Sequence, residues 1–528
     1  MVSASEILKK VEFHLRSLTK AKIVIKKLDV NMLRKIVFEE EITLWWEHIA
    51  LPRGGVFLVK LNGEIRGSTT KTHYQLKSLQ PETEYSLSVS IADKNDRVIK
   101  EIGLVKVQTL PKKKRIDVTK SPYFAVGDGV TLNTAVLQRA LENCAPNEIV
   151  YFPKGIYKSG ALNVHSDTEI YLDKGAVLQG TDKVEDYLPK RKSRFEGLER
   201  ECYSSLINIG ELDHKVGYTT KNIIIRGSGK VSGGGKDLAW AIVNAEKELL
   251  QKSVENVADN ARNYENEHTV PGRARGRLIN MSNCQNVVLS GVTLENGPAW
   301  NIHMIYSKDV TTCHCKIASY EVWNGDGWDP DSSENCVVFD TDFCTHDDAI
   351  AIKSGKNPEG NIINRKTKDI FVFDCRGSNG IAIGSEMSGG VENVRIWDCD
   401  MGNSYGGFTI RMPKERGGYI RNVCVTGCKL ATLHVLTKVN FNNDGKGVLT
   451  FPVLENLVAN DVEIVGVSIE KGERNIVSPI IINGFSEETP IFNVALKDVR
   501  LLKRESGELP EIEIENVTNL IVEDLYYL

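Results

Sequence analysis

The chain opens on alternating apolar and polar positions, the period of half-buried strands. Runs at Lys22–Lys27, Thr43–Glu47, Val56–Leu61 and Tyr85–Ala92 are separated by turn residues, among them the hairpin dipeptide Asn62-Gly63. Beyond Gly127-Asp128-Gly129-Val130 the period changes once. Leu132, Val136, Leu137, Ala140 and Leu141 fall at helical spacing and predict one amphipathic helix, followed at once by the strand-like Ile149–Phe152. From there to the C-terminus a short apolar run recurs behind an Asn or Asp. It is seen at Asn222, Asn286, Asp309, Asn335, Asp369, Asn393 and Asn422, with weaker echoes at Asn456, Asn493 and Asn519. Such spacing signals stacked coils, and short strands with few intervening helices predict a parallel β-helix whose open end the lone helix caps. An Asn repeated at one corner would cap its own turn and ladder with the Asn above it.

The expected organisation is all-β: a small N-terminal β-sandwich over residues 1–110 and a right-handed parallel β-helix over 111–528. Two polar segments, 183–220 and 236–276, interrupt the repeats. The second holds the helical stretch AWAIVNAEKELLQKSVENVADNA and closes on Arg273, Arg275 and Arg277. Insertions in a solenoid emerge as loops that can wall a groove.

Composition narrows the function. Hydrophobic residues make up 41% and charged residues 26%, ordinary for a globular chain, and the net charge of −4 gives no general pull toward nucleic acid. No apolar run is long enough to span a membrane. The start MVSASEILKK lacks an apolar signal region, so a cytoplasmic protein is expected unless a leader was removed. The 11 cysteines sit mostly in apolar runs without zinc-ligand spacing, which predicts buried free thiols and no metal or other cofactor.

The chemistry concentrates in WNGDGWDPDSSENCVVFDTDFCTHDDAIAIKSG, residues 323–355. Asp326, Asp329 and Asp331 form one acidic cluster and Asp347 and Asp348 a second, one coil further on. Carboxylates on adjacent rungs raise each other's pKa, a cost that points to a proton-transfer site. An EF-hand reading fails, because the twelfth position from Asp326 is Val337 rather than Glu. Trp323, Trp328 and Tyr405 flank the motifs as candidate sugar platforms, and His346 lies beside the Asp pair.

Two family resemblances follow. Leu79-Gln80-Pro81-Glu82-Thr83-Glu84-Tyr85 resembles the L-x-P-x-T-x-Y turn of fibronectin type III modules, and because no constellation of catalytic residues falls in this domain a spacer or positioning role is expected. Asn324-Gly325-Asp326-Gly327, then His346-Asp347-Asp348, then Gly384–Val391 resemble glycoside hydrolase family 28, the polygalacturonases, and the last run its bacterial, often exo-acting branch. That resemblance implies hydrolysis of a pectic α-galacturonide with inversion. Asp347 would be the general acid, and Asp326 and Asp348 would activate water across a gap of about 6.5–9.5 Å. Asn324, Lys353, Asn379, Arg411, Arg275 and Arg277 are the candidate substrate-binding residues. The chain departs from the family twice: Asn379 stands where the G-H-G motif has His, and Thr409-Ile410-Arg411 stands for R-I-K. The expected partner is a pectic oligosaccharide, attacked from one end if the insertions block the groove. Rival expectations are a rhamnogalacturonan or substituted-galacturonan hydrolase, a calcium-dependent β-helix lyase, and a non-catalytic carbohydrate-binding solenoid.

Overall fold

A computed structural model describes residues 33–254, 269–439, 446–470, 473–503 and 509–528. The expected strand Lys22–Lys27 lies outside them. The chain divides between Arg115 and Ile116 into two compact units.

In the N-terminal unit Arg34–Val37, Ile42–Trp45 and His73–Leu76 form one antiparallel sheet. Glu64–Thr69, Val56–Leu61, Glu84–Ala92 and Val98–Gln108 form another, in that order. Ile42, Leu44 and Trp46 pack with Phe57, Val59, Leu87 and Val89 in one core, which makes a sandwich. Asn62 and Gly63 both take positive φ, as a tight hairpin turn of the twist-matched kind requires. The Tyr85 hydroxyl accepts a hydrogen bond from the Gln80 backbone at 2.9 Å, tying the corner that the L-x-P-x-T-x-Y run anticipates.

The second unit is a parallel β-helix. The helix α1 (Thr134–Glu142) buries Leu137, Ala140 and Leu141, whereas Leu132 belongs to the preceding strand Asp128–Leu132 and is exposed. The coils contribute a 21-stranded sheet and an 11-stranded sheet, paired rung to rung in parallel along the solenoid. The repeating Asn does what its spacing implied. Asn393, Asn422, Asn456, Asn493 and Asn519 all adopt left-handed φ near +60°. Each amide donates to the residue below, Asn393 to Asp369, Asn422 to Asn393, Asn456 to Asn422, Asn493 to Asn456 and Asn519 to Asn493, at 2.9–3.0 Å. Asn pays little steric cost in that conformation, and its side chain supplies both a donor and an acceptor, so one residue type serves turn and ladder.

Six strands of the 11-stranded sheet carry the site: β1 (Ile279–Ser282), β2 (Ile302–Ile305), β3 (Trp328–Asp331), β4 (Ile350–Ile352), β5 (Ile381–Ile383) and β6 (Phe408–Arg411). Side chains alternate across a strand. Ile302, Met304, Trp328, Ile350, Ile352, Ile381, Ile383, Phe408 and Ile410 therefore enter the core. The residues between them face outward, and the register stacks Asn280 under His303, His303 under Asp329, and Ala382 under Thr409. Asp331 lies beside Lys353 across one bridge.

Both insertions fold back onto this face. The first contains an antiparallel hairpin, Arg191–Phe195 with Leu198–Cys202. The second contains α2 (Gly235–Val254), and the rest of its helical stretch lies outside the described residues. The insertions interlock where Arg273 donates to Glu196 at 2.6 Å and the Tyr203 backbone donates to Ala274 at 2.7 Å. All eleven cysteines are free and nine are buried. No helix among the described residues is long and apolar enough to cross a membrane.

Candidate active site

The stacking of coils brings the two acidic clusters together. Asp326 and Asp348 each precede an inward-turning strand by two residues. The Gly327 backbone donates to the Asp348 carbonyl at 3.0 Å, and that of Ala349 donates to Gly380 at 3.0 Å. Asp326, Asp348 and Asn379 thus occupy successive rungs of one column. Asp347 joins them at a kink, where the Thr345 hydroxyl donates to its carbonyl at 2.7 Å and its own Oδ1 accepts from the Asp348 backbone at 2.9 Å.

Two cations divide the cluster. Lys353 Nζ donates to Asp326 Oδ2 at 3.1 Å, stands 3.6 Å from Glu386 Oε2 and lies 4.5 Å from the Trp300 ring centre. Arg411 grips Asp348 with two parallel bonds of 2.7 Å, a bidentate pair whose planar geometry Lys does not offer. Burial pulls against the charge on Lys353, but Asp326, Glu386 and Asp329 outweigh it and hold the ammonium well above its ordinary value. Burial raises Asp326 well above an ordinary aspartate, with Lys353 opposing and the neighbouring carboxylates adding to the rise. Asp329 is raised by burial in the same way, and neither of its oxygens has a partner. Burial and the Asp348 charge together raise Asp347. The result is a cluster in which burial pushes the Asp326, Asp329 and Asp347 carboxyls up, while Lys353 opposes that rise at Asp326 and Arg411 pairs with Asp348.

The expected residues fare unequally. Asp326, Asp347, Asp348, Lys353 and Arg411 converge. Asn379 stands next to them, its amide donating to the Thr345 carbonyl at 2.6 Å and so fixing the turn that carries Asp347. Arg275 and Arg277 are corrected: each is 1% exposed, with its donors turned inward. Arg275 donates to Gly272, Pro298 and Trp323 carbonyls and, at 2.7 Å, to the Asn324 amide oxygen, while stacking 4.1 Å from Trp323. Arg277 donates to the Arg275 and Arg194 carbonyls and lies over Phe195 and Trp300. They are struts that tie Asn324 and the loop carbonyls around it together. Arg411 is corrected too: the carboxylate it holds bidentately is the protein's own. Trp328 points into the core, its indole donating to Thr312 at 3.1 Å, and His346 turns to solvent; Tyr405 remains exposed.

Four residues that sequence reasoning left without a role complete the site: Asp329, Glu386, Trp300 and Arg194. Arg194 comes from the hairpin, is fully buried, and donates to Asp331 at 2.7 Å, to Ser332 at 2.9 Å and to the Tyr306 hydroxyl. Phe195 stacks on Trp300 with ring centres 5.0 Å apart, and Ser193 donates to Asn280 at 3.0 Å. The hairpin tip is pinned further along, where Gly197 accepts from the Lys356 backbone at 2.9 Å and the Glu199 backbone donates to Glu359 at 2.7 Å. The outward residues of β1 to β3 are consequently sealed: Asn280, His303, Asp329 and Asp331 are between 0% and 3% exposed. Asp347, Asn379 and Arg411, beyond the hairpin, are only partly buried. The groove face is therefore closed on its N-terminal side, immediately beside the acids.

Comparison with known proteins agrees with this geometry. Residues 213–435 match the model of glycosyl hydrolases family 28. A probable polygalacturonase of Vitis vinifera is 28% identical over 325 residues, 59% of this chain and 60% of that protein. An exo-poly-alpha-D-galacturonosidase of Dickeya chrysanthemi is 25% identical over 338 residues, 61% of this chain and 56% of that protein. The chain thus spans less than two thirds of either relative. A family 28 exopolygalacturonase of Yersinia enterocolitica has the same fold, with a TM-score of 0.78 at 20% identity over 94% of this chain and 97% of that one. An exopolygalacturonase of Thermotoga maritima gives 0.61 at 24% identity, over 78% and 92%. The segment 213–435, which matches the model of glycosyl hydrolases family 28, holds both acidic clusters and the two cations that face them.

Proposed function

We propose that this protein hydrolyses α-linked galacturonide bonds of pectic oligosaccharides with inversion, removing sugar from a chain end. The observation that carries the reading is the convergence of Asp326, Asp347 and Asp348, with the Asp347 carboxyl pushed up by burial and by its neighbour's charge, the direction a general acid needs. In this mechanism Asp347 gives its proton to the glycosidic oxygen as the bond to the anomeric carbon breaks. A water held between Asp326 and Asp348 attacks the opposite face of that carbon, and its proton passes to one of these two carboxylates. Lys353 and Arg411 keep the two carboxylates in place and offset their charge. The names of the Dickeya and Yersinia proteins support the galacturonide and the exo mode. The sealed outward face of β1 to β3 supports the exo mode independently, because a polymer cannot continue past the hairpin. The eleven free thiols favour a reducing, cytoplasmic setting, in which short imported fragments would be the substrate.

A second reading rests on Thr409 and Arg411. Thr409 presents a hydroxyl, which donates to the Gly406 carbonyl at 2.9 Å, and Arg411 is occupied by Asp348. Fewer cations are left for a uronate at the neighbouring position, which favours rhamnogalacturonan or a substituted galacturonan. Product mass spectrometry on galacturonan and rhamnogalacturonan oligosaccharides, with Asp347→Asn alongside, tests both. Monosaccharide release that falls by about 10³-fold or more in the variant is expected. Long oligomers as first products would overturn the exo assignment, and equal activity in the variant would overturn the role of Asp347.

A further inference from the structure

We infer that Glu386 is a specificity-determining residue, which receives ring hydroxyls of the terminal sugar at the closed end of the groove. The inference rests on the exo-hydrolase reading. It begins from the position of Lys353, whose single ammonium is shared by Asp326 on one side and Glu386 on the other, at 3.1 and 3.6 Å. Glu386 is thereby fixed beside the reacting groups on the side where the hairpin ends. Gly197 at the hairpin tip packs directly on it: a Cβ there would fall 2.9 Å from Glu386 Cγ. The Glu386 carbonyl accepts from the Ser354 backbone at 2.7 Å, and Arg416 donates to the carbonyl of the preceding Ser385 at 2.9 Å, so its backbone is held on both sides.

The chemistry of the carboxylate then decides what it can receive. Burial opposes its charge, but Lys353, Arg416 and Lys356 together keep its carboxyl below the ordinary glutamate range. It is an anion with acceptor sites only. Its side chain is 13% exposed, against 4% for Asp326 and 5% for Lys353, so of this trio it is the most accessible to a ligand. An acceptor-only anion at the blind end of a sugar site accepts hydroxyl protons and repels a uronate carboxylate. A terminal ring must therefore enter with its hydroxyl edge toward Glu386 and its own carboxylate turned away. Glu386 takes no part in proton transfer in this account; it reads which sugar occupies the end.

The test compares wild type with Glu386→Gln on a short α-galacturonide and on its analogues lacking the 3- or the 4-hydroxyl of the non-reducing terminal ring. Hydrogen bonds to a charged group lead to an expected loss of roughly 10- to 100-fold in kcat/KM for the intact substrate in E386Q. For at least one deoxy analogue the loss is expected to be less than about threefold, since the bond is already absent there. Binding of the same ligands to Asp347→Asn, with and without E386Q, reads the same difference without turnover. Equal losses on every substrate would overturn the inference and leave Glu386 as a support for Lys353 alone. A wild type that releases no terminal sugar from any of them would instead overturn the exo reading on which it rests.

Discussion

Arg194→Leu is the substitution whose consequences follow most directly from the geometry. Arg194 is fully buried and is the hairpin's charged link to β3, pairing with Asp331 at 2.7 Å. Burial alone would push Asp331 up. The Arg194 charge and the His303 hydrogen bond overcome it and hold the carboxyl down to about 2 against an ordinary 3.8. At about 1.4 kcal/mol for each tenfold change, these contacts favour the ionised carboxylate by about 2 kcal/mol. Because the folded value lies below the unfolded one, the unfolded chain takes up the proton first as pH falls. This stability is therefore complete above about pH 4 and is lost as pH falls toward 2. Leucine fills the space of the stem but leaves Asp331 buried without its cation, a change that costs about 3–5 kcal/mol. In urea denaturation followed by far-ultraviolet circular dichroism at pH 7, R194L should show a clearly lowered midpoint. Adding Asp331→Asn removes the stranded charge and should recover about half of the loss, a coupling the double-mutant cycle isolates. R194L should also lose the extra destabilisation of wild type between pH 4 and 2. A loosened hairpin should let longer products appear in an oligosaccharide digest. A cost below about 1 kcal/mol, or no recovery in the double variant, would refute the reasoning.

Lys353→Met removes the charge that holds Asp326 down, so the Asp326 carboxyl rises further. The ionised form needed to activate water then exists only at higher pH, and the acid limb of the kcat/KM profile should move upward; an unmoved limb would separate Asp326 from the reaction. Asn422→Ala loses two ladder bonds at 2.9–3.0 Å and leaves a Cβ-bearing residue at φ +58°, where Asn is better tolerated. It should lower stability by about 1–3 kcal/mol, and Asn422→Gly should cost less than Ala if the backbone contributes. Thermal unfolding compares the three forms.

Much of this molecule was written in its local patterns. The Asn repeat announced the coil corners because one side chain satisfies a left-handed turn and the rung beneath it, a rule that needs only spacing. Asn324-Gly325-Asp326 and Asp347-Asp348 lay one coil apart, so their stacking followed once the β-helix was recognised. Tyr85 and its L-x-P-x-T-x-Y turn were equally local. The structure alone decided how charges were partnered. Arg194 and Asp331 are 137 positions apart and Arg411 and Asp348 are 63, joined by how an insertion folds back and how many residues each coil spends on its loops. No periodicity encodes either count. That is why Arg275 and Arg277, which read as anion receptors, became buried struts, and why Arg411 was taken by the protein's own carboxylate. It is also why Glu386, plain in the sequence, gained a role only when Lys353 and the hairpin tip closed around it. Sequence determines which groups a rung can offer; only the stacking of rungs and insertions determines which charges face water, which face sugar and which face each other. Burial then sets their energies, because a charge removed from solvent must find its partner within a few ångströms.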